Sequence, residues 1–256
     1  MKKYERNKVM KKIELIGLEN IPLVNKGDDL GRLIIKSAVE QGIDFRQGDI
    51  VAVAQKIVSK AEGRTVDLAM IEPSVQAREL AGQTGRDPRL CQVYLNESSA
   101  VLRIKGRMII TRHKLGFECS SAGVDRSNVA PHAAGIVVLL PEDPDESARK
   151  IRQAIRDRFR VTVSVVITDS LGRHDREGSI GLAIGVAGIS PIEVRHQQDL
   201  YGNEAKTGIA IVDEASAAAS LIMGQADENL PVVVVRGVRY TVDDQASIQQ
   251  LLILGD

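Results

Sequence analysis

The chain has 256 residues, of which 43% are hydrophobic and 27% charged, so it can bury a sizeable globular core. Lys plus Arg equals Asp plus Glu at 34 each, so the net charge gives no general attraction to nucleic acid or to a membrane surface. The absence of Trp and the presence of only three Phe and four Tyr disfavour a protein that binds bases by stacking. We therefore expect neither nucleic acid nor a membrane as a partner.

The cysteines and the amino-terminal residues bear on the cellular location. Cys91 and Cys119 lie far apart and belong to no Cys-x-x-Cys or Cys/His cluster, so neither a zinc site nor a disulfide framework is expected. Buried, reduced thiols are typical of a cytoplasmic protein, which is the location we predict. No apolar run approaches the roughly 20 residues that span a bilayer. Residues 1–12 are basic and precede no apolar core, so we predict a disordered leader rather than a signal peptide.

Short apolar runs predict strands, and amphipathic segments with capping residues predict helices. The predicted strands cover residues 13–16, 50–54, 107–111, 135–141, 161–170, 180–188 and 232–237. The predicted helices begin near residues 28, 73, 142 and 213, with a terminal helix around residues 248–252, while residues 90–95 and 100–104 fit either a strand or a helix. The chain shows no repeat and no low-complexity linker, so we expect residues 13–256 to form either one large domain or two small intertwined ones.

The predicted strand at residues 161–170 leads into a candidate site. Its β-branched aliphatic residues indicate a strand buried on both faces, and it ends in Asp169 and Ser170. Residues 171–178, with two glycines and two arginines, are predicted to form a cationic loop. A buried strand that delivers an acid to such a loop is typical of a metal–phosphate site. The alternative is that Asp169 only caps a turn.

A second candidate segment, residues 55–64, directly follows the buried strand at residues 50–54. Its charged residues and glycine favour an anion-binding loop, in which Lys60 and Arg64 contact phosphate oxygens and Ser59 donates a hydrogen bond. A solvated loop without a ligand is the alternative for this segment.

Two polar segments add oxygen ligands to these candidates. Residues 121–128 supply Asp125 and Asn128, and the segment after the helix near residue 213 supplies Gln225 and Asp227. Oxygen ligands of this kind favour Mg²⁺ or Mn²⁺ over zinc or copper. Together with the cationic segments, they predict a metal-dependent nucleotide or phosphoryl-transfer enzyme.

Other catalytic motifs are missing from the sequence. It contains neither a G-x-x-x-x-G-K-[ST] motif nor a G-x-G-x-x-G motif. The glycine-interleaved residues 180–188 are therefore predicted to be a closely packed strand rather than a dinucleotide loop. No Ser-His-Asp order or catalytic thiol is present, and His174 is the one histidine in a candidate loop.

Five segments together resemble the coenzyme F420-0:L-glutamate ligase family. They are residues 59–64, 121–128, 140–145, 168–173 and 199–202, in an order that is collinear with the family from about residue 17 to residue 237. The resemblance implies a family-specific mixed α/β fold with mixed sheets and an intertwined homodimer, in which residues 13–256 form one catalytic unit or two intertwined subdomains. It also implies a GTP-dependent ligase that joins L-glutamate to the lactyl carboxylate of F420-0, followed by γ-linked glutamates, through an acyl phosphate.

The resemblance also assigns roles to individual residues. Two divalent ions, Mg²⁺ or Mn²⁺, are implied, with K⁺ as an additional candidate ion. Asp125 and Asp169 would hold one metal, and Ser170 and Gln225 would lie at the second. Lys60 and Asp169 are the residues to which it gives a catalytic role. The implied nucleotide-binding residues are Ile21, Pro22, Leu23, Val24, Gln55, Lys60, Asn128 and Gln225.

Two segments differ from the usual family pattern. Family members usually have Gly-Arg-Pro, an aromatic residue and Arg after the strand acid, whereas His174 and Asp175 stand here between the two arginines. The residues on either side of Asp-Leu-Tyr, at 195–196 and 202–203, also differ from the usual Arg-Gly and Gly-Arg. We expect the acceptor to be held at these segments. The alternatives are therefore a diverged GTP- and metal-dependent amino-acid ligase for another carboxylate, or a non-catalytic nucleotide-binding homologue.

Overall fold

A computed structural model describes residues 12–127, 135–173 and 176–253 of the chain. The predicted leader lies outside these residues except for Lys12, which pairs with Glu14. The strands are β1 (Glu14–Gly17), β2 (Ile50–Ala54), β3 (Thr65–Asp67), β4 (Ser98–Lys105), β5 (Met108–His113), β6 (Glu118–Ser120), β7 (Ile136–Val138), β8 (Ser164–Arg173), β9 (Arg176–Ala187), β10 (Glu193–Gln198), β11 (Glu204–Ile209) and β12 (Val232–Arg236). The α-helices are α1 (Leu30–Glu40), α2 (Gln55–Glu62), α3 (Val75–Thr84), α4 (Pro88–Asn96), α5 (Pro144–Phe159) and α6 (Ile211–Met223).

The largest sheet has five strands in the order β1-β12-β2-β8-β9. Its two central strands, β2 and β8, are parallel, with Ile50 opposite Ser164 and Ala54 opposite Thr168. The other neighbouring strands of this sheet are antiparallel. Because β2 and β8 run in the same direction, their carboxyl ends meet at one edge of the sheet.

Helices cover both faces of this sheet. On one face, α1 and α5 bury residues such as Ile34 and Ile155 against Val165 and Ile167. On the other face, Ala215 and the rest of the apolar side of α6 pack against the alternate residues of the central strands. Successive strand residues point to opposite faces, so fully buried strands such as these are apolar at nearly every position. The sheet therefore forms the middle of three layers.

The glycine-interleaved strand packs against helices on both sides, as the sequence predicts. A Cβ atom at Gly181 would overlap the backbone of Ser216 on α6, and one at Gly185 would overlap Pro144 at the start of α5. These glycines thus allow the two helices to approach β9 closely.

A third apolar cluster lies outside this three-layer part. Helices α3 and α4 pack beside the β4-β5-β6 sheet and the short β3-β7 ladder. Leu80, Leu90, Tyr94 and Ile109 are buried in this cluster. None of the described helices is long and apolar enough to cross a membrane.

The structure corrects two predicted loops. Most of residues 55–64 form helix α2 (Gln55–Glu62) rather than a loop, because Ile57, Val58 and Ala61 give the segment an apolar face that packs on the core. Residues 171–178 are largely strand, since β8 continues to Arg173 and pairs with β9. Cross-strand pairing satisfies the backbone there, although the polar sequence is typical of a loop.

Other uncertain segments now have assigned structures. Residues 90–95 belong to helix α4 and residues 100–104 to strand β4. The predicted terminal helix is a short 3₁₀ turn at Ile248–Leu251. The mixed α/β prediction is confirmed.

Candidate functional site

A cavity of about 1110 Å³ lies at the edge where β2 and β8 end. Its walls come from the segment before α1, the start of α2, the segment after β6, the outer half of β8, and the segment after α6. The lining residues are 22–25, 54–57, 60, 120, 121, 123–127, 168–171, 181, 220, 223–227 and 229–231. The carboxyl edge of parallel strands is the usual place for a ligand site in an α/β protein.

Helix α2 forms one wall because it begins directly after β2. Gln55 is its first residue and is 4% exposed, and its Oε1 accepts a hydrogen bond of 2.9 Å from Ser59 Oγ. The Gln55 side chain also hydrogen-bonds Asp169. Lys56 and Lys60, one helical turn apart, line the same cavity.

The opposite wall carries Asp125. Its backbone pairs with Val138 in an antiparallel bridge, with N–O distances of 2.9 and 2.8 Å. Its Oδ1 accepts hydrogen bonds from Ser127 N at 2.7 Å and Ser127 Oγ at 2.8 Å. Its Oδ2 lies 2.8 Å from Lys56 Nζ. Oδ1 therefore accepts two hydrogen bonds from Ser127, and Oδ2 forms an ion pair with Lys56.

Two of the acids that line the cavity, Asp125 and Asp169, have opposite pKa shifts. Burial raises the pKa of Asp125, but hydrogen bonds from Lys56 and Ser127 outweigh burial and hold that pKa below its ordinary value. Burial raises the pKa of Asp169 to about 6, and the negative charge of Asp125 adds to the rise. Hydrogen bonds from Ser170 N and Gln55 oppose it. The surrounding protein therefore stabilises the charged form of Asp169 only in part.

Ser170 and Gln225 join two further walls of the cavity. Gln225 Nε2 donates a hydrogen bond of 3.0 Å to Ser170 Oγ, which ties the segment after α6 to strand β8. Adjacent strand residues point to opposite faces, so Ser170 faces away from its neighbour Asp169. The cavity accordingly reaches around the end of β8 and also touches Ser220 and Gly224 of the α6 side.

The cavity also shifts the pKa of Lys60. Burial lowers the pKa of this ammonium group, the positive charge of Lys56 lowers it further, and Asp125 opposes both. Lys56 and Lys60 thus line the same cavity as Asp125 and Asp169, so the site carries charges of both signs. Such a site can bind an anionic ligand and a metal ion together.

Most of the predicted site residues lie on this cavity. Those that line it are Pro22, Leu23, Val24, Gln55, Lys60, Asp125, Asp169, Ser170, Gln225 and Asp227. Leu23 is 79% exposed at the rim. Ile21, by contrast, is buried in the core at 2% exposure and is not among the lining residues. Asn128 and His174 lie outside the described residues.

Two residues that the sequence favoured for phosphate binding have structural contacts instead. Ser59 is fully buried and bonds to Gln55. Arg64 donates from Nε to the Leu140 carbonyl at 3.0 Å and pairs with Glu97 at 2.6 Å. Neither residue lines the cavity: Ser59 lies on the buried side of helix α2, and Arg64 follows the helix.

Sequence reasoning missed Lys56 as a site residue. The available signal was its position directly after a buried strand, one turn before Lys60. That signal indicates a shared helix face only if residues 55–64 are helical, and the segment was predicted to be a loop.

The ligands in the cavity suit a hard divalent ion that also binds phosphate. Within the described residues, no group of three or more His, Cys, Asp and Glu side chains could hold a metal ion. The cavity instead offers the two carboxylates of Asp125 and Asp169, with the Ser170 hydroxyl and the Gln225 amide nearby. Mg²⁺ commonly binds through one or two carboxylates, with substrate phosphates and water completing its coordination. The residues therefore fit Mg²⁺ or Mn²⁺ bound together with a polyphosphate.

Comparison with known proteins agrees with the resemblance. The model of the family described as F420-0:Gamma-glutamyl ligase matches residues 19–237. A relative named Coenzyme F420:L-glutamate ligase from Methanothermobacter thermautotrophicus is 46% identical over 227 residues, covering 88% of this chain and 89% of the relative. Relatives of the same name from Methanopyrus kandleri and Methanocaldococcus jannaschii are 45% identical over 227 residues and 42% identical over 234 residues. They cover 87% of both chains and 90% of both chains, respectively. The chain belongs to the F420-0:gamma-glutamyl ligase family.

Proposed function

We propose that this protein is a GTP-dependent ligase that joins L-glutamate to the lactyl carboxylate of F420-0 and then adds γ-linked glutamates. The names of the relatives, which cover nearly nine-tenths of the chain, support the ligase activity and both substrates. The observation that carries the proposal is the cavity in which Asp125 and Asp169 lie beside Lys56 and Lys60. That arrangement suits transfer of a phosphoryl group onto a carboxylate.

The proposed reaction has two steps. In the first, a carboxylate oxygen of the acceptor attacks the γ-phosphorus of GTP, the bond to the β-phosphate oxygen breaks, and GDP leaves. In the second, the amino group of glutamate attacks the acyl carbon, an amide bond forms, phosphate leaves and the amino proton passes to solvent. Neither step requires a covalent protein nucleophile, so positioning and electrostatics account for catalysis.

Residues of the chain have distinct tasks in this scheme. Asp125 and Asp169 would hold one divalent ion, and Ser170 and Gln225 would lie at a second. Bound Mg²⁺ or Mn²⁺ would neutralise negative charge that develops on the phosphates. Lys60 places an ammonium group in the same cavity, where it stabilises the same charge.

The nucleotide would lie along the wall formed by Pro22, Leu23 and Val24, beside Gln55 and Lys60. This wall combines an exposed apolar residue with amide and ammonium groups, a pattern common in nucleotide sites. The prediction that Ile21 and Asn128 contribute stays a prediction. We further propose a cytoplasmic homodimer in which K⁺ is an additional ion, and light scattering would measure its subunit number.

The direct test incubates the protein with GTP, Mn²⁺, L-glutamate and F420-0, and follows the mass of F420-0. We expect a gain of one or more glutamyl units together with GDP release. Reactions that lack GTP, glutamate or Mn²⁺ serve as controls. GDP release with a different carboxylate and none with F420-0 would favour the diverged ligase, whose support is the altered residues at 195–196 and 202–203. Nucleotide binding without turnover on any carboxylate would contradict a ligase.

A further inference from the structure

The Lys56 ammonium group contacts both Asp125 and Ser127 across the cavity. Its Nζ lies 2.8 Å from Asp125 Oδ2 and 2.7 Å from Ser127 Oγ. Ser127 in turn donates from N and Oγ to Asp125 Oδ1. The lysine, serine and aspartate thus form a closed cluster in which the ammonium group covers one oxygen of the carboxylate.

Tertiary packing positions this cluster. Lys56 and Ser127 are 71 positions apart in the chain, and helix α2 must pack beside residues 120–127 for them to meet. The side chains of Lys56 and Asp125 are 24% and 27% exposed. The surface pair Lys36–Glu40 is far more open, at 69% and 50% exposed. The contact at Asp125 is therefore partly shielded from solvent, and partly buried charge pairs interact more strongly than exposed ones.

A divalent ion at Asp125 would stand close to the Lys56 ammonium group. The ion and the ammonium group are both positive, and they would repel each other strongly in this partly buried cavity. Lys56 also lines the cavity, and its ammonium group is carried on a flexible side chain of about four carbons. It can therefore leave the carboxylate and reach another anion in the cavity.

We propose that Lys56 is an exchangeable counter-ion, which competes with the divalent ion for Asp125 Oδ2 and moves to a phosphate of the nucleotide when the two ligands bind. This proposal rests on the metal role of Asp125 in the proposed function. Its consequence is a coupling between ligands. Metal alone must displace Lys56 from its partner, whereas nucleotide phosphates offer Lys56 a new partner and so strengthen metal binding.

Binding of Mn²⁺ tests this without any turnover. Free Mn²⁺ is titrated by its paramagnetic resonance signal against the wild type and Lys56→Gln, each with and without GDP. Without GDP, we expect Lys56→Gln to bind Mn²⁺ about tenfold more tightly than the wild type, and the gain in affinity that GDP produces to shrink by a similar factor. Lys60→Gln, which removes a positive charge from the same wall, is the matched control and should gain about twofold or less.

The outcomes separate the two proposals. Mn²⁺ affinity that Lys56→Gln leaves unchanged or weakens would overturn the exchange, as would an equal gain in Lys60→Gln. Lys56→Arg retains the charge and should stay as weak as the wild type or weaker, which tests the exchange even if Lys56→Gln folds poorly. Asp125→Asn must weaken Mn²⁺ binding by at least tenfold. If it does not, the metal assignment fails, and the exchange fails with it.

Discussion

The two edges of the five-stranded sheet both carry acids, but the acids have different partners. At the edge where β2 begins, Asp49 is 1% exposed and faces Arg236, whose Nε and Nη2 lie 2.9 and 2.8 Å from the two carboxylate oxygens. At the opposite edge, Asp125 and Asp169 lie near enough for the charge of one to raise the pKa of the other. The first edge contains a paired acid, and the second contains two acids in one cavity.

This difference separates a stabilising role from a binding role. The guanidinium group of Arg236 matches the carboxylate of Asp49 in both charge and geometry, so that acid has little left to offer a ligand. The pKa of Asp169, in contrast, is raised to about 6 by burial first and by Asp125 second. A ligand cation would stabilise the charged form of Asp169. Under the proposed function, the carboxyl edge therefore exchanges local stability for affinity, as functional sites commonly do.

The largest expected effect is that of Asp169→Asn on turnover. Asp169 holds the metal in the proposed function, so loss of its carboxylate should lower the rate of glutamate addition by about 10³-fold or more. The free energy of unfolding of the metal-free variant at pH 7 should equal or exceed that of the wild type, because the ionised acid is poorly stabilised. Mass spectrometry of the product and urea unfolding measure the two quantities. Wild-type activity would rule out the metal role, and a marked loss of stability would make Asp169 a structural acid like Asp49.

The opposite edge should respond in the reverse way. Arg236→Met leaves Asp49 buried without its guanidinium partner and should lower the free energy of unfolding by about 3–5 kcal/mol. Turnover per folded molecule should stay near wild type, because Arg236 lies outside the cavity. Urea unfolding at pH 7 and an assay at low temperature measure both. Lys36→Gln, which breaks an exposed pair, is the control and should change stability by less than about 0.5 kcal/mol. Loss of activity in excess of unfolding would break the contrast between the edges.

A buried base in the β4-β5-β6 sheet gives a further test of how burial affects a titratable group. His113 is 3% exposed, and burial, with the charges of Arg64 and Lys114, lowers its pKa to about 4. Its Nδ1 accepts a hydrogen bond from Leu115 N at 3.0 Å, which fits the neutral ring. The unfolded chain, with a histidine pKa near 6.5, binds this proton more readily than the folded chain. The stabilising contribution is therefore complete above about pH 6.5 and is lost as the pH falls toward 4.

The pH dependence predicts a specific difference between the wild type and His113→Gln. Between pH 7 and pH 4, His113 should reduce wild-type stability by about 3 kcal/mol, a slope that the variant lacks. Urea unfolding of both proteins at several pH values isolates this contribution, because the other titrating groups cancel in the difference. A difference in unfolding free energy that does not vary with pH would show that His113 has an ordinary pKa.

The sequence predicts the sheet better than its connections. Uninterrupted β-branched runs identify β2, β8 and β12, and Asp143 with its regular apolar spacing identifies α5, since these patterns reflect burial directly. The polar segment at residues 171–178 was misread because local polarity does not show that its backbone pairs with another strand. Residues 55–64 were predicted to be a loop because their apolar face is short and lies among charged side chains.

The site shows the same limit. Asp125, Asp169 and Gln225 were predicted from polar segments and a family pattern, and they do line one cavity. The pairing of Lys56 with Asp125 could not be predicted, because it depends on how α2 packs against a distant segment. Arg64 likewise contacts Glu97 and the Leu140 carbonyl instead of lining the cavity. No local motif links either residue to Arg64.

The smallest predicted effect concerns Ser170, whose hydroxyl accepts a hydrogen bond from Gln225 at the functional edge. Ser170→Ala removes that oxygen from the proposed second metal and should lower turnover by about tenfold. Ser170→Thr keeps the hydroxyl and should remain within about twofold of the wild type. Since Ser170 is exposed, neither variant should change the free energy of unfolding by more than about 0.5 kcal/mol. Steady-state rates at saturating GTP and glutamate measure the effect. Equal activity of the alanine and threonine variants would show that the hydroxyl has no role in turnover. Asp169 would then be the residue through which β8 contributes to the proposed catalysis.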